Sequence, residues 1–164
     1  MNTKLTPTQS SLLRIRLDRD KPRAPLLDRR LVQDAESALE GMDESFLEWV
    51  GGQISHIRTA AKAIEAQPGD CGREVAAMNG LAHEIAQLGA TLQYPLLTKI
   101  CQSLNRLLAG RSKLDPRSVE ALGAHVDALA YVHLKKLKGE GDASAQHLLD
   151  NLAHAIRKLQ AAES

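Results

Sequence analysis

Six histidines are the side chains of this 164-residue sequence best suited to chemistry, and their settings differ. His83 lies in the run Leu81-Ala82-His83-Glu84-Ile85-Ala86-Gln87-Leu88-Gly89-Ala90-Thr91-Leu92-Gln93-Tyr94-Pro95-Leu96. Val75, Met78, Leu81, Ile85, Leu88 and Leu92 recur at three-and-four spacing, which gives a helix one apolar stripe. His83 falls off that stripe, with Ala76, Gly80, Ala86, Gln87 and Ala90 on its own side. The spacing predicts an exposed imidazole among small side chains, open to close approach by another protein. A neutral imidazole, with an ordinary pKa of ~6.5, is a nucleophile near neutral pH.

The other candidates offer less. His56, His125, His133, His147 and His154 fall on helical stretches with no Cys/His spacing that suggests zinc, and read as surface or boundary residues. Cys71 and Cys101 are the only cysteines; they make no disulfide framework and no zinc pattern, and are expected to be reduced. A hydrolase or metal enzyme inside a helical bundle needs convergent carboxylates or Glu-x-x-His pairs, and the sequence has neither. No cofactor or metal is expected.

The stretch from His83 to Leu96 resembles the histidine-containing phosphotransfer (HPt) domains of bacterial two-component phosphorelays. One branch of that family reads His-Asp/Glu-Ile-Lys/Arg-Gly-Gln-Gly/Ala-Gly/Ala-Thr-Phe-Gly-Tyr-Pro-Leu. His83, Glu84, Ile85, Gly89, Ala90, Thr91, Tyr94, Pro95 and Leu96 match it without a gap. Leu92 stands for the Phe, Ala86 for the basic residue, Gln87 for the first glycine, Leu88 for the glutamine and Gln93 for the later glycine. Weaker similarity runs from about Asp28 to the C-terminus. The resemblance implies a helical bundle and a phosphoaccepting His83, with Ala86 and Gln87 beside the phosphoryl group. It implies docking of a partner on Ala76, Gly80, Gln87 and Ala90. The implied partners are a histidine kinase or the receiver domain of a response regulator, which brings its own aspartate, Mg²⁺ and lysine. The chain would then be a phosphoryl carrier, not an enzyme. Two residues point to an alternative. With no cation at Ala86 and added bulk at Gln87, a degenerate HPt-like bundle would bind a kinase or receiver without taking its phosphoryl group.

The elements that must position His83 follow from composition and pattern. With one Phe, one Trp and two Tyr, the core must be Leu, Ala, Val and Ile, which favours packed helices. The length fits one core. Residues 1–27, punctuated by Pro7, Pro22 and Pro25 and rich in charge, read as a flexible arm. Residues 28–164 read as an all-α, antiparallel up-and-down bundle, in which the resemblance implies an HPt-like four-helix core with additional helices. A first stripe at Leu31, Ala35, Ala38 and Leu39 is expected to close at Gly41. A second helix then starts near Asp43, where Ser45 and Glu48 have capping-box spacing, and carries Phe46, Leu47, Val50, Ile54, Ile57, Ala61 and Ile64 inward. Gly51-Gly52 within it suggests a kink or a close helix contact.

Pro68-Gly69 makes a turn, with Asp70 the expected N-cap of the His83 helix, which Pro95 ends. Leu96, Ile100, Leu104, Leu107 and Leu108 mark the next helix, to Gly110. Asp115-Pro116 opens another with Leu122, Val126, Leu129, Val132 and Leu137, and Asp142 caps the last, with Leu148, Leu149, Leu152, Ile156 and Leu159. Short connections imply antiparallel neighbours. A formal net charge of +1 gives no reason to expect nucleic acid or an anionic membrane as partner. No apolar run reaches the ~20 residues of a membrane span, and a monomer in the cytoplasm is the expectation.

Overall fold

The computed structural model describes residues 29–163; the proposed arm lies outside them. By packing, the chain divides between Gly41 and Met42. In the first unit, Arg29–Gly41 is helical, with every side chain exposed except a half-buried Val32. The second unit is the bundle.

Five helices make up most of the described residues: α1 (Arg29–Ala66), α2 (Gly72–Thr91), α3 (Pro95–Leu108), α4 (Pro116–Leu134) and α5 (Ala143–Ala162). The fold is the expected all-α bundle with short connections. The break expected at Gly41 does not occur: α1 runs unbroken through it, and Ser45 and Glu48 lie inside the helix. An internal glycine costs about 1 kcal/mol against Ala, and helical sequence on both sides carries the chain across it. From Phe46 onward the periodicity places Phe46, Val50, Ile54, Ile57, Ala61 and Ile64 inward and they are buried, whereas Leu47, also expected inward, is only half-buried.

The short α3 is the centre of the bundle. It packs against α2, α4 and α5, and α4 also packs on α5. Leu96, Leu97, Ile100, Cys101, Leu104, Leu107 and Leu108 are all buried along it, on more than one side. Proline opens both α3 and α4, and the Asp115 and Asp142 carboxylates accept the Ser118 and Ala145 backbone N–H groups. Asp70 does not cap α2. The N-cap is Cys71, whose own N–H is drawn to the Ser112 carbonyl at 3.0 Å, fastening the α1–α2 turn to the α3–α4 loop.

Gly51 is where α4 closes on α1. The His133 ring lies over it, so that a Cβ there would stand 3.0 Å from the ring, and His133 Nε2–H donates to the Leu47 carbonyl at 2.7 Å. The close contact suggested by Gly51-Gly52 is therefore present at the first glycine. Beside it, Lys138 pairs with Asp43 at 2.6 Å and sits 5.4 Å over the ring of Tyr94, which packs against Phe46.

His125 is not a surface or boundary residue; it is fully buried. Its Nδ1–H donates to the Ala121 carbonyl at 2.7 Å, and Ser103 on α3 donates its hydroxyl to Nε2 at 2.9 Å. Both ring nitrogens are thereby satisfied in the neutral form, which is why the core accepts it. Desolvation by burial lowers its pKa, only partly offset by the Ala121 bond. The folded state thus resists a proton that the unfolded chain takes near pH ~6.5. Stability should be level above that pH and fall as pH drops below it, before the carboxylates titrate. Urea denaturation at stepped pH should show this slope, and Ser103→Ala with His125→Leu should flatten it.

Candidate functional site

The geometry of α2 follows from its small residues. Val75, Met78, Ala82, Ile85, Ala86 and Gly89 are buried, whereas Leu88 is 43% exposed and Leu81 and Leu92 are only half-buried. The buried face is therefore turned from the expected stripe toward the alanines and Gly89. A Cβ at Gly89 would stand 2.8 Å from Thr98 Oγ1 and 3.3 Å from the Tyr94 carbonyl. Thr98 Oγ1 donates to the Ala86 carbonyl at 3.1 Å, in addition to the Tyr94 carbonyl at 3.3 Å. Bulk at these positions would hold α3 away. Small side chains let it approach to backbone contact, and the larger Leu88 is left outside.

His83 is mid-helix and exposed, as expected, and Ala76, Gly80, Gln87 and Ala90 are exposed with it. Ala86 is the exception. At 7% exposure it faces the core, so it does not share His83's open side and cannot flank a bound phosphoryl group. The physical reason is the turn of α2 toward α3. Gln87 remains beside the imidazole, its side-chain amide 3.0 Å from His83 Nε2. An amide N–H directed there can be accepted only by an Nε2 that carries no proton.

The neighbouring helix adds polar groups that the sequence reading did not include. Two ties fix α2 and α3 as antiparallel: Thr98 to Ala86, and Ser112 to Cys71. One turn before Ala86 is His83, and one turn after Thr98 are Cys101 and Gln102. The exposed face of α3, with Lys99, Gln102 and Arg106, thus runs alongside the histidine's level of the bundle. Lys99 is ion-paired with Glu140 at 2.9 Å, while the Arg106 Nε–H donates to the Gln102 carbonyl at 3.4 Å. Helix register is a tertiary property, and no local signal in the sequence gives it.

The end of α2 explains another position. Gln93 has φ 63°, and the Tyr94 N–H reaches back to the Gly89 carbonyl at 2.7 Å, closing the helix in a left-handed cap. This is the slot where the resemblance has glycine. Among the described residues no group of three or more His, Cys, Asp or Glu comes together as a metal site. No family model matches the chain, and no curated protein or solved structure matches it either.

Two substitutions test this end of the site. Gln93→Gly should stabilise the fold by about 1 kcal/mol, because glycine adopts a left-handed φ without the Cβ penalty. Gly89→Ala should destabilise it by about 1–3 kcal/mol, since Thr98 is held by two carbonyls and cannot yield freely. Denaturant midpoints measured at constant m-value decide both.

Proposed function

We propose that this chain is a phosphorelay carrier in which His83 accepts a phosphoryl group and passes it on. The donors and acceptors would be a histidine kinase and receiver domains of the bacterial two-component type, in the cytoplasm. The observation that carries the reading is His83 itself: an exposed mid-helix imidazole with an accepting Nε2, among small exposed side chains, inside the HPt-like run. In a transfer from a receiver, Nε2 attacks the phosphorus of the aspartyl phosphate as the P–O bond to the carboxylate breaks. The bundle supplies the nucleophile and the docking face; the partner supplies the metal and its charges. Ala76, Gly80, Gln87 and Ala90, with the polar face of α3, form a surface suited to a transient contact of about 1,200 Å² or less.

A second reading rests on Ala86 and Gln87. With the cationic slot buried and the Gln87 amide occupying the Nε2 lone pair, the same face would serve a module that binds a kinase or receiver without phosphotransfer.

Incubation with a panel of phosphorylated receivers from the same cell separates the two. A carrier takes label that His83→Gln abolishes, because glutamine is amide-sized and not nucleophilic. Label that survives His83→Gln would move the acceptor elsewhere. Receiver binding with no label on the wild-type chain selects the binding module. Ala90→Arg should weaken receiver binding at least tenfold while leaving the thermal midpoint unchanged, since Ala90 is exposed. Chemical-shift mapping that puts the receiver on a face remote from His83 would contradict the docking surface.

A further inference from the structure

We propose that Gln87 is a positioning residue that fixes the tautomer of His83 and so selects Nε2 as the reacting nitrogen. The inference deepens the phosphorelay reading and rests on it for its chemical consequence. The tautomer itself rests only on geometry. An unconstrained neutral imidazole in water favours the form with its proton on Nε2, which leaves the lone pair on Nδ1. Nδ1 is the nitrogen nearer the main chain, where a phosphoryl group meets the histidine's own helix. Gln87, one helical turn on, aims its amide at Nε2 from 3.0 Å. Its N–H donates, so the bond exists only when Nε2 is unprotonated, and it pulls the proton to Nδ1. The lone pair then sits on the outer nitrogen, where a partner can reach it.

The same bond restrains the nucleophile until a partner arrives. Gln87 is exposed, so its amide exchanges His83 for water at small cost and frees the lone pair. With phosphoramidate as a small donor, the step is as follows. The Nε2 lone pair attacks phosphorus and the Nε2–P bond forms. The P–N bond of phosphoramidate breaks and ammonia leaves with its electron pair. The phosphorylated ring is then cationic, and its Nδ1 proton passes through water to the ammonia, giving ammonium and a neutral phosphoimidazole. The released Gln87 N–H remains one turn away, free to donate to a phosphoryl oxygen.

Long-range ¹H–¹⁵N correlation spectra of the full chain at pH ~8, where imidazoles are neutral, report which ring nitrogen carries the proton. The wild-type His83 should show protonated Nδ1. Gln87→Leu, of similar size but without a donor, should move the tautomer ratio about fivefold toward protonated Nε2, the worth of one neutral hydrogen bond. Gln87→Glu, which can only accept, should move it further the same way. Folding is checked in the same spectra by the unchanged amide resonances of the core. A wild-type His83 protonated on Nε2, or a ratio identical in wild type and Gln87→Leu, overturns the inference. Phosphoramidate treatment of the wild type is the separate arm. Phosphohistidine on Nε2 supports the selection of that nitrogen, and phosphohistidine on Nδ1 overturns it. Absence of any His83 label, with the tautomer shifted by Gln87→Leu, leaves Gln87's positioning intact and overturns the carrier reading instead.

Discussion

The close approach of α2 to α3 is the constraint on which the candidate site depends. Ala82, Ala86 and Gly89 let the two backbones come within reach of a single threonine, and Thr98 binds both the Ala86 carbonyl and the start of its own helix. Once those residues are inside, the rotation of α2 is settled. His83 then stands outside with Ala76, Gly80, Gln87 and Ala90, and Leu88 is left partly in water. Packing and the exposure of the imidazole are thus joined in one helix, because the residues that admit α3 decide which side of α2 faces water.

Aromatic contacts and an ion pair join the end of α2 to other parts of the same bundle. Three of the four aromatic side chains, Phe46, Trp49 and Tyr94, gather at one end, and Lys138 lies over Tyr94 while paired with Asp43. His133 seats itself on Gly51, and the Gly139 N–H bonds the Gln93 carbonyl. The turn just after His83's helix is therefore fastened to the α4–α5 connection, and the left-handed Gln93 is held in place by contacts on both sides. In the interior, Ser103 and His125 pair across α3 and α4, so that two polar residues lie in the core with their partners met.

Much of this was legible in the sequence. The stripes of α1 from Phe46 onward, of α3 and of α5 are carried by large aliphatic residues at regular spacing, and a large aliphatic residue has few places to go but inward. Gly110, Asp115-Pro116 and Asp142 likewise mark boundaries through local backbone chemistry. The misreading of α2 has a plain cause. Periodicity weighs Leu81 and Leu88 above Ala82, Ala86 and Gly89, yet close helix packing prefers the smaller set when a partner helix is available to fill the space. His125 was hidden for a related reason, since a buried histidine needs partners that only tertiary structure brings, here a serine from another helix. Gly41 ended a helix on paper but not in the fold, because one glycine costs too little to stop a helix supported on both sides. At the site, the exposure of His83 was legible and the displacement of Ala86 was not, since a small change in helix rotation separates the two.

The proposed carrier role depends on one nitrogen, Nε2 of His83. Its most direct measurement is the ³¹P spectrum of ¹⁵N-histidine-labelled protein after exposure to a phosphorylated receiver. The account predicts a single new phosphorus resonance split by coupling to a histidine nitrogen, assigned to Nε2, labile in acid and stable in alkali. A spectrum with no nitrogen-coupled resonance, taken while the receiver is demonstrably bound and dephosphorylating, would contradict it.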